Sequence, residues 1–228
     1  LEEFMGVGAP QARLKWHYRS TDESLIAFSN AQFYDSELMT FPSVYLTGGQ
    51  QGLRFELVED GVYEGKGVNW VEARRVVDAV VRHALDRPDL SLGVGTFSTS
   101  QQTAILDLLE ERRRQDPRLD SFFERREWGG FFVKNLENIQ GDERDVIYLS
   151  VSYAKARDGR LRYQFGPLNQ QNGWRRLNVL ITRARQEMRV FSSITYDQPP
   201  VSGTGPGFAQ LHSAFLSYGR RSSMDSAR

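Results

Sequence analysis

The chain has 228 residues with 39% hydrophobic and 12% aromatic content and no cysteine, which allows a sizeable core and excludes disulfides, thiolate catalysis and cysteine-bound zinc. Basic and acidic residues both number 29, and the formal net charge of +0 argues against a generic polybasic coat for nucleic acid. No apolar run approaches the ~20 residues of a membrane helix and no signal peptide opens the chain, so the expectation is no membrane and a reducing, cytoplasmic compartment. The first residue is leucine and the pattern starts abruptly, so the sequence reads as a piece of a longer protein.

In chain order, residues 12–19 predict a short strand ending at Arg19. Ser20 then sits three residues before Glu23, the spacing of a capped helix start, and Leu25, Ile26, Phe28 and Phe33 carry that helix to about Tyr34. Residues 44–47 and 53–58 have β character and flank a glycine-rich stretch, which predicts an irregular hairpin within an insertion over 43–66. Asn69 caps a strong helix through Val76, Val77, Val80 and Leu85, which Pro88 stops. Residues 92–97 predict a strand, 98–100 a capping turn and 101–114 a helix. A short strand follows at 131–134, and 145–153 is nearly continuous apolar sequence, as a buried parallel strand should be.

Leu177, Leu180, Ile181, Ala184 and Met188 recur at helical spacing and predict a helix with one buried face, with Arg176 and Arg183 sharing another. A strand over 188–192, a Pro/Gly-rich connector over 198–207, a last helix over 211–218 and a polar tail complete the chain. Strands alternating with helices predict an α/β fold with a mostly parallel sheet covered on both faces. The domain expectation is one unit over 1–197, then a linker, short helix and tail over 198–228.

Charge is unevenly spread. Residues 155–189 hold nine basic side chains against two acidic ones, and 1–60 lean acidic. Arginine's planar fork suits phosphate oxygens, so arginines fixed on a packed helix suggest an anion site. The chain lacks the cradle, however. Gly65-Lys66-Gly67 holds the only Gly-Lys pair but misses the upstream glycine and the following Ser/Thr of a P-loop, and no apolar strand ends in an Asp-Glu pair that could hold Mg²⁺.

Gln140-Gly141-Asp142-Glu143 precedes the strongest strand, where glycine permits close backbone approach and Gln and Glu offer hydrogen bonds. Thr96 to Gln102 lie at the C-terminal end of a predicted parallel strand, where hydroxyls and helix N-terminal amides can meet a phosphate. A plain turn and a plain helix cap remain the competing readings of these two stretches. His17, His83 and His212 have no metal-ligand spacing, and no metal site is expected.

Taken together, these stretches resemble a known family. Leu14-Lys15-Trp16-His17-Tyr18-Arg19-Ser20, with Phe28-Ser29-Asn30 and Phe33-Tyr34 after it, resembles motif IV of superfamily 1 helicases. Residues 93–102 look like the strand-turn-helix written T-P-Y-x-x-Q, and 136–143 resemble motif V, ending in Q-G-x-E. Leu168-Asn169 and Arg175-Arg176-Leu177-Asn178-Val179-Leu180-Ile181-Thr182-Arg183-Ala184-Arg185 resemble motif VI. The likeness, over 14–194, is greatest to the 5′→3′ branch containing the nonsense-mediated-decay helicase. Phe97-Ser98 stands where the family has Pro-Tyr, and Arg19 is followed by Ser-Thr-Asp without the eukaryotic proline.

The resemblance implies the second, C-terminal RecA-like domain of an ATP-driven helicase. It implies Arg183 as arginine finger and Arg19 as a second γ-phosphate contact. Gln140, Gly141 and Glu143 would sense nucleotide, and Thr96, Ser98 and Asn135 would touch single-stranded DNA or RNA. ATP and Mg²⁺ would be held mainly by an N-terminal RecA-like domain of the same protein, so the isolated chain would be inactive. The alternative is a degenerate RecA-like module that binds nucleic acid or protein without catalysis.

Overall fold

The computed structural model describes residues 15–40, 52–64, 67–125, 127–160 and 178–194. Predicted features at 41–51, at 65–66, in the basic stretch 161–177 that includes Arg175 and Arg176, and beyond 194 lie outside the described residues.

Helix α1 (Ser24–Phe33) is followed by strand β1 (Gly52–Leu57), helix α2 (Trp70–Asp86), strand β2 (Leu92–Thr96) and helix α3 (Thr99–Gln115). A short helix α4 (Asp120–Phe123) leads to β3 (Phe132–Asn135), β4 (Arg144–Ser150) and β5 (Ala184–Ser192). The five strands form one sheet in the order β1-β5-β4-β2-β3, and every pairing is parallel.

Side chains alternate across this sheet, as the two-residue strand period requires. Val146 and Tyr148 of β4 join Leu92, Val94 and Phe191 against α2 and α3. Ile147 and Leu149 face the other way and pack with Leu25 of α1 and with Leu180 and Ile181. Both faces of β4 are therefore apolar, which is why its sequence shows no polar alternation. The α/β class, a parallel sheet with helices on both faces, is the one expected from the sequence.

Local chemistry sets the two long helices. Asn69 Oδ1 accepts from the Glu72 amide at 3.1 Å and starts α2, whose Ala73, Val76, Val77 and Val80 are buried at helical spacing. The helix ends where the Arg87 amide donates to His83 O at 2.9 Å, one residue before Pro88. Ser98 Oγ accepts from the Gln101 amide at 3.0 Å and starts α3.

Four sequence expectations change. At 15–19 the chain makes only an isolated bridge, Trp16 with Met39, in place of a strand. Helix α1 starts at Ser24, after Asp22 Oδ1 has accepted from the Ser24 amide at 2.8 Å. Ser20 does not cap it, because its hydroxyl donates to Ala184 O at 3.2 Å. Gly52–Leu57, read as part of a hairpin insertion, is an edge strand of the main sheet, paired in parallel with β5 from Gly52↔Glu187 to Leu57↔Ser192.

Finally, the arginine helix ends earlier than its periodicity suggested. The backbone is helical at 178–181, turns at 182–183 and enters β5 at Ala184. Ala184 and Met188 both face the α1 side of the sheet as strand residues. Arg183 therefore stands on the turn between a helix and a strand.

Candidate functional site

Parallel strands give the sheet two distinct ends, and the sequence-derived residues divide between them. Arg19, Glu143 and Arg183 gather at the N-terminal ends of β4 and β5, while Thr96, Ser98 and Asn135 lie at the C-terminal ends of β2 and β3.

The N-terminal end is built around Glu143, one residue before β4. Arg19 Nε donates to its Oε2 at 2.9 Å, and Arg185 Nη2 donates to its Oε1. Hydrogen bonding to Arg185 is the main reason its carboxyl lies below the usual glutamate range, assisted by the charges of Arg185 and Arg19. Arg19 Nη1 also donates to Thr182 O at 3.3 Å, which ties it to the turn carrying Arg183. Arg183 Nε donates to Val179 O at 2.8 Å. Burial, followed by the proximity of Arg19, lowers its pKa from the usual arginine value.

The backbone under these side chains is braced. The Arg144 amide donates to Arg183 O at 3.2 Å, and the Thr21 amide donates to Arg185 O at 2.8 Å. The buried Arg144 guanidinium donates to Gly129 O and Gly130 O, each at 2.8 Å, and lies 4.6 Å from the Phe132 ring centroid. Leu180 is fully buried below the turn. Burial of a side chain of that size contributes roughly 1.5–3 kcal/mol, so the arginine turn is anchored to the core.

Arg19 and Arg183 line the same groove, of about 270 Å³, together with Trp16, His17, Tyr18, Tyr34, Asn178 and Thr182. Tyr18 is 76% exposed beside Arg19. Two cations next to exposed rings can receive an anion joined to a flat heterocycle. Gln140 and Gly141 do not line it. They sit in an exposed turn before β4, with Gly141 at φ +92° and Asp142 paired to Lys134 at 2.6 Å.

At the C-terminal end, Thr96 is buried and its hydroxyl donates to Ser98 O at 2.9 Å, so it shapes the turn instead of facing solvent. Ser98 caps α3 and donates its hydroxyl to Gly67 O at 2.5 Å. Asn135 Oδ1 accepts from the amides of Glu137 and Asn138, and its Nδ2 donates to Thr99 Oγ1 at 3.2 Å. Ser98 stands in the place of the family's tyrosine, and Phe97, in the place of the proline, is buried against Tyr153.

Sequence reasoning gave no role to Arg185, Arg144 or Tyr18. Arg185 is the last arginine of the Thr-Arg-Ala-Arg string, and only the fold brings it to Glu143, 42 residues away. Tyr18 carried a usable signal, an aromatic residue between a histidine and an arginine in a polar stretch. Among the described residues, no cluster of three or more His, Cys, Asp or Glu could hold a metal ion, and no helix is long and apolar enough to cross a membrane.

The AAA domain family matches residues 1–195. An uncharacterized ATP-dependent helicase of Mycoplasma genitalium is 36% identical over 188 residues, covering 79% of this chain, and its homolog from Mycoplasma pneumoniae is 36% identical over 185 residues, also covering 79%. The chain spans 16% of the length of each of these curated relatives. Among solved structures, the C-terminal domain of a possible DNA helicase from Lactobacillus plantarum aligns with a TM-score of 0.43 at 16% identity, over 86% of this chain and 96% of that one. The chain belongs to the AAA domain family and is similar in sequence to ATP-dependent helicases.

Proposed function

We propose that this chain is the second RecA-like domain of a superfamily 1 helicase or translocase, supplying one wall of an ATP site split between two domains. The observation that carries the reading is the pair Arg19 and Arg183 lining one groove, beside exposed aromatic rings. Arg183 is the arginine finger and Arg19 a second contact to the γ-phosphate. Each stabilises negative charge on the transferring phosphoryl group, an effect worth roughly 10³-fold or more in rate for a finger. The phosphate cradle and the Mg²⁺ ligands belong to an N-terminal RecA-like domain of the same protein, as the lack of a P-loop and of an Asp-Glu strand end here implies.

Glu143 holds Arg19 and Arg185 when no phosphate is present. A half-exposed ion pair is worth little, about 0–1 kcal/mol, so a triphosphate can take its place. Release of Glu143 then reports nucleotide to the turn at Gln140 and Gly141. A single strand of DNA or RNA lies across the C-terminal end of the sheet, with Ser98, Asn135 and the N-terminus of α3 toward its phosphates and Thr96 supporting the turn from below. Direction of travel is 5′→3′, as in the branch the motifs resemble.

The test is strand-stimulated ATP turnover of the full-length protein. Arg183→Ala should lower it about 10³-fold while leaving the fold intact. Turnover within about twofold of wild type would remove the finger and favour the non-catalytic binding module.

A further inference from the structure

Behind the rim that carries Ser98 lies a buried polar network that the split-site reading leaves unused. Glu72, in the first turn of α2, is fully buried. Its Oε1 accepts from the Ser150 hydroxyl at 2.6 Å and from the Ser152 amide at 2.7 Å. Its Oε2 has no hydrogen-bond partner among the described residues. The nearby Val151 amide donates to Phe191 O at 3.1 Å. From α3, Gln101 Nε2 donates to Ser150 Oγ at 3.0 Å and to Asn69 O at 3.2 Å, and its Oε1 accepts from the Asn69 amide at 2.9 Å.

This donor set suits an uncharged carboxyl. An ionised one would leave a buried, negatively charged oxygen without a donor, which is costly. Burial pushes the Glu72 carboxyl up to about 8, against the pull of the hydrogen bonds from Ser150 and Ser152 and of the nearby Val151 amide, and no charged side chain acts on it.

The network reaches the rim by two routes. Ser152 sits at φ +64°, a left-handed conformation uncommon outside glycine, held by its amide on Glu72 and by its hydroxyl donating to Val151 O at 2.6 Å. The next residue, Tyr153, stacks on Phe97 with ring centroids 6.3 Å apart, immediately before Ser98. On the second route, Gln101 gives its amide to the Ser98 cap and its side chain to Ser150. Gly67 closes the far side. Its carbonyl takes the Ser98 hydroxyl, its φ is +80°, and a Cβ there would lie 2.8 Å from Ser98 Cβ.

We propose that Glu72 is a positioning residue for the nucleic-acid track: its carboxyl fixes the left-handed turn at Ser152 and, through Tyr153 on Phe97 and Gln101 on the Ser98 cap, sets the rim on which a single strand lies. The proposal rests on the track reading above. The role needs an acceptor at Oε1 and not a charge, and the strand never touches Glu72.

The experiment is fluorescence anisotropy with labelled oligothymidine and oligouridine on the full-length protein, at constant ionic strength and about pH 7. Glu72→Ala, which removes the acceptor, should bind severalfold more weakly than wild type. Glu72→Gln, whose amide oxygen can accept the same two bonds, should restore wild-type binding. Wild-type binding by Glu72→Ala, or binding by Glu72→Gln as weak as that of Glu72→Ala, overturns the role of Glu72 and leaves the track standing. Failure of the wild-type protein to bind either strand at about pH 7 overturns the track and this proposal together.

Discussion

At the N-terminal end of the sheet, Glu143 accepts from Arg19 and Arg185, with these side chains 31–35% exposed. At the C-terminal end, Glu72 is fully buried and meets only uncharged donors from Ser150 and Ser152. Both are glutamates beside the end of β4, yet solvent and partners push their carboxyls in opposite directions, Glu143 down and Glu72 up. The first arrangement can exchange partners, because partly solvated cations accept any anion of the right shape. The second cannot exchange anything without leaving a buried polar group unpaired. Exchangeable ion pairs and a fixed frame thus stand at opposite ends of one sheet.

The largest effect that would sharpen this contrast, after loss of Arg183, comes from Arg19→Ala. It should lower ATP turnover roughly 10²-fold, the cost of one lost donor to developing charge, while strand affinity at saturating protein stays unchanged. Equal loss of both would mean that the two ends are not separable. Ser98→Ala should do the reverse. Removing the cap of α3 costs about 1 kcal/mol in a denaturant titration, and strand binding should weaken severalfold with ATP turnover at saturating strand preserved. A variant as stable as wild type would show that the Ser98 hydroxyl is not the effective cap.

The smallest effect concerns His17, whose Nε2 accepts from the Ser20 amide at 3.1 Å and therefore needs the neutral ring with its proton on Nδ1. Burial, then the charge of Arg19, lowers its pKa from 6.5. A depressed histidine gives stability that is complete above the unfolded value and declines as pH falls below it, since the unfolded chain takes a proton the folded site refuses. Thermal melts of wild type and His17→Gln should accordingly converge as pH drops below about 6.5. A gap that stays constant across that range would sink the assignment.

Legibility in the sequence followed burial. Helices α2 and α3 and strands β2 and β4 were readable because each combines a cap or a breaker with a long apolar pattern, such as Asn69 before Val76, Val77 and Val80. The start of β5 was not, because Ala184 and Met188 stand four residues apart, a spacing that satisfies a helical face and a strand face alike. Strand β1 was misread because nothing local reveals that its partner is β5, more than a hundred residues on. In the candidate sites, Arg19 and Arg183 were legible as arginines in recognisable strings, and the structure brings both to one groove. Glu72 was invisible for a different reason. Three residues after Asn69, it has the spacing of a glutamate that folds back on its own cap, and only packing turns it inward to Ser150.

The mounting of Arg183 has a mechanical consequence. Its carbonyl is held by Arg144, the preceding carbonyl by Arg19, and Leu180 locks the turn into the core. An arginine mounted this way has no slack of its own. In the proposed split site, its approach to a phosphate requires rotation of the whole domain, and the rigid sheet carries that rotation to the rim at the opposite end of the strands.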